Sequence, residues 1–174
     1  MNDNVVTIFG TSRANAGDTI FTLAMETGRL LAQAGFTIAN GGYDGTMLAA
    51  AKGAAEAGGE IIGVTCSAFK SSKANMYVTR EIVTGSLDER LETLVKLGRA
   101  YIVLPGGTGT LLELAKVWEL KNKGFLNMDK PIILLGGFWK PLVELITTED
   151  AESSSYVKLA DKPMQAVEMI IDIV

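Results

Sequence analysis

The chain contains no histidine and a single cysteine, Cys66, in 174 residues. Without histidine, Ser-His-Asp and Cys-His nucleophilic systems and the usual histidine-bearing zinc sites are excluded. Acid–base chemistry near neutral pH then falls to Asp, Glu, Lys, Tyr, Cys or the substrate itself. A lone cysteine excludes an internal disulfide framework. No apolar run is long enough to span a bilayer, and the polar start Met1-Asn2-Asp3-Asn4 is not a signal peptide. The expected location is cytoplasmic, with no membrane partner. A basic excess is also missing. The net charge of −4 argues against a general nucleic-acid binder while leaving room for a local basic pocket. Two phosphate motifs are absent as well. No G-x-x-x-x-G-K-[ST] sequence occurs, and the G-x-G-x-x-G pattern begun at Gly107 fails at Leu112.

What is present is an ordinary globular composition, 48% apolar and 21% charged, long enough to bury a core as a single domain over 1–174. Apolar runs at 5–9, 36–39, 60–65, 81–84, 100–104 and 131–135 read as strands. Helical patterns fall at 18–34, 46–57, from Ser86 (where Ser86-x-x-Glu89 suggests a capping box), after the 105–110 loop, at 139–146 and at 163–173. Residues 66–80 read as an irregular surface loop, and the stretch containing Ser153-Ser154-Ser155 as another loop. Continuous apolar strands alternating with helices predict one doubly wound, Rossmann-like α/β domain. Its sheet is mostly parallel, with helices on both faces. Ligands of such folds sit beyond the carboxyl ends of the strands, where Gly10, Gly41-Gly42 and Gly106-Gly107 all fall.

The richest segment is Pro105-Gly106-Gly107-Thr108-Gly109-Thr110-Leu111-Leu112-Glu113, between a strand and a helix. Its glycines could make only a tight turn. Equally, converging N–H groups at a helix start could cradle a phosphate. Glu113 could complete a capping box with Thr110 or pair with Lys116, or it could carry chemistry. In a first turn the helix dipole would hold it ionised. Arg90 sits at the edge of the stripe Leu87, Leu91, Leu94 and Val95, and its helical neighbours Ser86, Leu87, Thr93 and Leu94 include no acid. No local ion pair accounts for it, and a solvated charge is one reading of it. Arg13 reads as an anion fork or as a mobile surface charge. Cys66 reads as a small hydrophobe, and Trp118, with Leu111, Leu114 and Ala115, as core or interface.

Arg90 followed by Pro105-Gly106-Gly107-Thr108-Gly109-Thr110-x-x-Glu113 resembles the signature of the LOG ("lonely guy") family of nucleoside 5′-monophosphate phosphoribohydrolases, long mislabelled lysine decarboxylases. Gly41-Gly42-x-x-Gly45-Thr46-Met47 is similar to that family's second glycine loop, and Gly10-Thr11-Ser12 to its first-strand loop. The resemblance covers most of the chain and weakens beyond Glu149. It implies Arg90 and Glu113 as a catalytic pair. Gly106, Gly107, Thr108, Gly109 and Thr110 would form the phosphate cradle, with Gly10, Ser12, Gly41, Gly42, Gly45 and Thr46 contributing to nucleotide binding. It also implies a homodimer or higher homo-oligomer with sites near the interface. The chain departs from the family at Leu91, where a lysine is common, and at Asn40, where a glycine is common. Similar sequences include molybdenum-cofactor-carrier-like proteins, which bind a phosphorylated pterin without hydrolysing it.

The activity implied is hydrolysis of the N-glycosidic bond of a nucleoside 5′-monophosphate to free base and ribose 5-phosphate, with no cofactor and no metal. The rival is a carrier for a nucleotide or phosphorylated cofactor. A decarboxylase would normally need pyridoxal phosphate on a lysine, and no lysine with a supporting motif stands near the expected site. The failed dinucleotide fingerprint excludes a dehydrogenase.

Overall fold

The computed structural model describes residues 4–69 and 73–173. The elements, in chain order, are β1 (Val5–Phe9), α1 (Thr19–Gln33), β2 (Thr37–Asn40), α2 (Thr46–Glu56), β3 (Ile61–Cys66), β4 (Arg80–Thr84) and α3 (Leu87–Leu97). They continue with β5 (Ala100–Val103), α4 (Thr108–Asn122), β6 (Ile132–Leu135), α5 (Lys140–Thr147), a 3-10 turn (Ser153–Tyr156), β7 (Lys158–Ala160) and α6 (Pro163–Ile171). The strands form one sheet in the order β4-β3-β2-β1-β5-β6-β7, every neighbouring pair parallel.

Strand alternation divides the core into two layers. Val6 and Ile8 face one layer with Phe21, Leu31, Ala50 and Ala54 of α1 and α2 and Ile170 of α6. Val5 and Phe9 face the other with Leu94 of α3, Leu114 and Trp118 of α4, and Val143 of α5. The sheet is therefore doubly wound, as expected. In α1, Gly28 is a contact surface: a Cβ there would strike the Ala50 carbonyl, and one on Gly53 would strike that of Met25. The two helices thus pack backbone to backbone.

Two stretches differ from the sequence reading. The region around residue 159 contains a seventh strand, β7. At three residues, with Lys158 and Leu159 exposed, this edge strand has too short and too polar a pattern to stand out. The 66–80 stretch is more anchored than a surface loop. Cys66 completes β3 and is buried, Arg80 opens β4, and Asn75 binds the loop after β2. Residues 70–72 lie outside those described.

The chain order runs outward from β1 to β4 and then returns to β5 on the other side of β1, so the topological switch point lies between the carboxyl ends of β1 and β5. The Thr11 amide donates to the Pro105 carbonyl (3.3 Å), and the indole N–H of Trp139 donates to the Leu104 carbonyl (3.0 Å). Both bonds fix the loop that leads into α4.

Candidate active site

A cleft of about 810 Å³ opens at this switch point. The loop after β1 (Gly10, Thr11, Ser12, Arg13) forms one wall. The first turns of α4 (Gly107 to Thr110, and Glu113) form the adjacent wall. Tyr43, Asp44, Met47, Phe69 and Arg90 complete the lining.

Arg90 projects from α3, whose start is capped as the sequence suggests. The Ser86 hydroxyl accepts from the Glu89 amide (3.2 Å), while the Glu89 carboxylate accepts from the Gly85 amide (2.7 Å). Arg90 is buried rather than solvated, 8% exposed. Its Nε donates to the Val64 carbonyl at the end of β3 (2.8 Å). Its guanidinium carbon lies 5.5 Å from the Tyr43 ring centre and 5.8 Å from that of Phe69, within the range where a ring quadrupole attracts a cation. Gly41 makes room for it, since a Cβ there would collide with Nη2. Its Nη1 stands 3.6 Å from Oε1 of Glu113. This distant acid is the partner absent from Arg90's own helix.

Glu113 is not a cap. The N-cap of α4 is Gly107, so Thr110 is the third helical residue and Glu113 the sixth. There its carboxylate faces Arg90, and no ion pair with Lys116 forms among the described residues. Burial pushes the Glu113 carboxyl up to about 7, with Arg90 opposing the shift. The dipole argument from sequence fails because that field falls off within the first turn, whereas desolvation acts at the sixth residue. Near neutral pH the group is available in both protonation states.

The remaining sequence-selected residues divide into two sets. Gly107, Thr108 and Gly109 are exposed to the cleft, and no protein atom lies where a Cβ on Gly107 or Gly109 would stand. Thr110 lines the cleft; Gly106, expected in the cradle, does not, and its missing side chain instead leaves space for the Thr110 hydroxyl. Gly10 and Ser12 also line it. By contrast, Gly41, Gly42, Gly45 and Thr46 do not. Thr46 donates both its amide and its hydroxyl to the Thr11 carbonyl, each at 2.9 Å. Gly45 has φ +69° and is pressed against Thr11 and Ser12. The Gly42 amide donates to Asn40 Oδ1 (2.8 Å), while Asn40 Nδ2 donates to the Met47 carbonyl (3.0 Å). Asn40 is thus an internal brace of that loop, and Leu91 is buried as part of the α3 stripe with Leu94 and Val95.

Tyr43, Phe69 and Asp44 were missed in the sequence. Tyr43 had one visible signal, an aromatic inside a glycine loop. Its hydroxyl accepts from the Cys66 amide (2.7 Å). Asn75 holds the same loop, its amide donating to the Gly42 carbonyl (2.7 Å) and its side chain to the Tyr43 carbonyl (2.9 Å). Phe69 follows a strand end with no local motif to mark it. Among the described residues no lysine lines the cleft, and no cluster of acids or cysteine suited to a metal ion occurs.

Residues 47–170 match the family model described as "possible lysine decarboxylase". A cytokinin riboside 5′-monophosphate phosphoribohydrolase of Rhodococcoides fascians is 31% identical over 81% of this chain and 73% of its own length. The chain belongs to the LOG family. A LOG relative of the same name from Mycobacterium tuberculosis is 35% identical, over 67% of this chain and 62% of the relative. The match thus spans less than two thirds of that relative. Among solved structures, the molybdenum cofactor binding protein of Rippkaea orientalis superposes with a TM-score of 0.81 at 29% identity, covering 99% of this chain and 98% of that one.

Proposed function

We propose that this protein hydrolyses the N-glycosidic bond of a nucleoside 5′-monophosphate, giving free base and ribose 5-phosphate. The observation that carries this reading is the Arg90–Glu113 pair, drawn from two helices into one cleft whose adjoining wall is the open start of α4. The phosphate sits at that helix start, where N–H groups and the threonine hydroxyls face an anion. Bound there, it holds the sugar so that its anomeric carbon lies beside Glu113, and this remote binding positions the reacting bond.

As the bond to the base breaks, positive charge develops on the ribosyl ring. The Glu113 carboxylate stabilises it and orients a water, whose oxygen bonds to the anomeric carbon and whose proton passes to the carboxylate. The base leaves with the bonding electrons and takes a proton from solvent. Arg90, fixed by Val64 and the two rings, keeps Glu113 in place. The scheme uses no metal and no redox cofactor. Subunits pair near the site in this reading. The exposed Leu87, Leu111 and Leu112, at the starts of α3 and α4, support such an interface, and the mass in solution checks it. A cytoplasmic location belongs to the same proposal; no described helix is long and apolar enough to cross a membrane.

A panel of nucleoside 5′-monophosphates assayed for ribose 5-phosphate tests the reaction. Glu113→Gln should lower kcat by about 10²- to 10⁴-fold, the usual range for such a group. Release that survives the substitution would sink the assignment. The carrier reading has its own support in the end-to-end match to the cofactor binding protein and in the buried Leu91 at the position of a family lysine. Tight binding of one phosphorylated ligand without release of base would favour it.

A further inference from the structure

We propose that Arg13 is the residue by which this cleft distinguishes a phosphorylated ligand from its unphosphorylated counterpart. The inference rests on the reading that a phosphate binds at the start of α4. It does not depend on whether the glycosidic bond is cut.

Among the described residues, four charged side chains line the cleft: Arg13, Asp44, Arg90 and Glu113. With Glu113 ionised these four formally cancel, so together they give a phosphate dianion no net attraction. Arg90 is already engaged by the Val64 carbonyl, two aromatic rings and Glu113, and moving it would leave Glu113 without its partner. The start of α4 contributes only about half a unit charge. Of the two cations in the cleft, Arg13 alone has a guanidinium with no hydrogen bond or ion pair to a protein group among the described residues. Asp44, on the loop before α2, likewise has no partner among the described residues and repels an anion from that side. The two unpaired charges give the cleft a polarity, with its positive end at the β1 loop.

The placement of Arg13 suits the task. Its amide donates to the Thr11 hydroxyl (3.2 Å), and its carbonyl accepts from Asn15 Nδ2 (3.2 Å). Asn15 is in turn held by Asp18, whose carboxylate accepts from the Asn15 amide (2.7 Å). Thr11 ties the loop to Pro105, one residue before the glycines of the α4 loop. The backbone of Arg13 is therefore fixed beside the helix start while its side chain stays exposed and free. A guanidinium can then meet two phosphate oxygens at once, a geometry that lysine lacks.

The test is isothermal titration of ribose 5-phosphate against ribose, and of adenosine 5′-monophosphate against adenosine, the latter pair in a Glu113→Gln background that suppresses turnover. Arg13→Gln should weaken both phosphorylated probes by about 10- to 100-fold, the value of a charge-assisted contact, and leave adenosine unchanged. Arg13→Lys should fall between. Because Arg13 is exposed, its variants should melt with the wild-type protein. Equal affinity of wild type and Arg13→Gln for the phosphorylated probes overturns the proposal. So does equal weakening of adenosine, or a wild-type protein with no preference for the phosphorylated member of either pair. Release of base with no Arg13 effect would preserve the hydrolase reading and discard this one; the Arg13 effect without release would do the reverse.

Discussion

Two loops of this molecule look alike in sequence and differ in what they do. Gly41-Gly42-x-x-Gly45-Thr46 opens α2, and Gly106-Gly107-Thr108-Gly109-Thr110 opens α4. Both follow a central strand. In the α2 loop the glycine and threonine polar groups are committed internally, Thr46 to Thr11 and Gly42 to Asn40 and Asn75, while Tyr43 and Asp44 line the cleft. In the α4 loop Gly107, Thr108 and Gly109 are exposed to the cleft with open space around the two glycines. One loop is built as a buttress, and the other is the binding face of the function proposed above. Glycine serves close backbone approach in the first loop and leaves open space for the proposed ligand in the second, and the partners of the neighbouring donors separate the two.

Substitutions can break or sharpen that contrast. The largest effect should come from Gly45→Ala, since the residue sits at φ +69° against the Thr11 and Ser12 backbone. Strain and overlap together should cost about 3 kcal/mol or more of stability, read as a lower denaturation midpoint with no ligand present. Next is a pH effect at the binding face. The raised Glu113 pKa of about 7 means the carboxylate is lost as pH falls through 7. The value of kcat/KM should then drop about tenfold per unit below that point and level off above it. Stability should move the other way. A carboxyl whose folded pKa is raised favours the fold at low pH, and that contribution fades as pH rises through 7. In Glu113→Gln both trends should flatten.

Smaller effects should separate affinity from stability. Thr110→Val should weaken phosphate binding about tenfold, the value of one hydroxyl contact to a charged oxygen, with little change in melting temperature. Thr46→Val should show the opposite pattern. It loses about 1 kcal/mol of stability with its bond to Thr11, and ligand affinity should hold. Gly107→Ala should be smallest in stability, within about 0.5 kcal/mol, because its Cβ meets nothing. A matched pair of outcomes at Thr46 and Thr110 would erase the distinction between buttress and binding face.

Periodicity exposed most of the fold: among the described residues, six of the seven strands and all six α-helices stand out as apolar runs and amphipathic stripes. β7 did not, because an edge strand of three residues with two exposed side chains has almost no pattern to read. The candidate site was legible where glycine and charge spacing are local, as in residues 105–113. It was illegible where the decisive fact is a distance between elements. Nothing near Arg90 in sequence announces Glu113, and the Thr110-x-x-Glu113 spacing points to a cap that the helix start at Gly107 rules out. Tyr43 and Phe69 escape for the same reason, since their partner belongs to another helix.

The anchoring of Arg90 at the carboxyl end of β3 bears on how the protein would respond to heat. Val64 holds the guanidinium, Cys66 holds the Tyr43 hydroxyl, and β3 is separated from solvent at the sheet margin only by β4, most of whose side chains are exposed. Sheet margins open locally at lower free energy than centres. Fraying of β4 would therefore release the arginine while β1, β5 and the bulk of both core layers remain intact. On slow warming, activity should vanish several degrees before the circular-dichroism signal changes, and on brief cooling it should return.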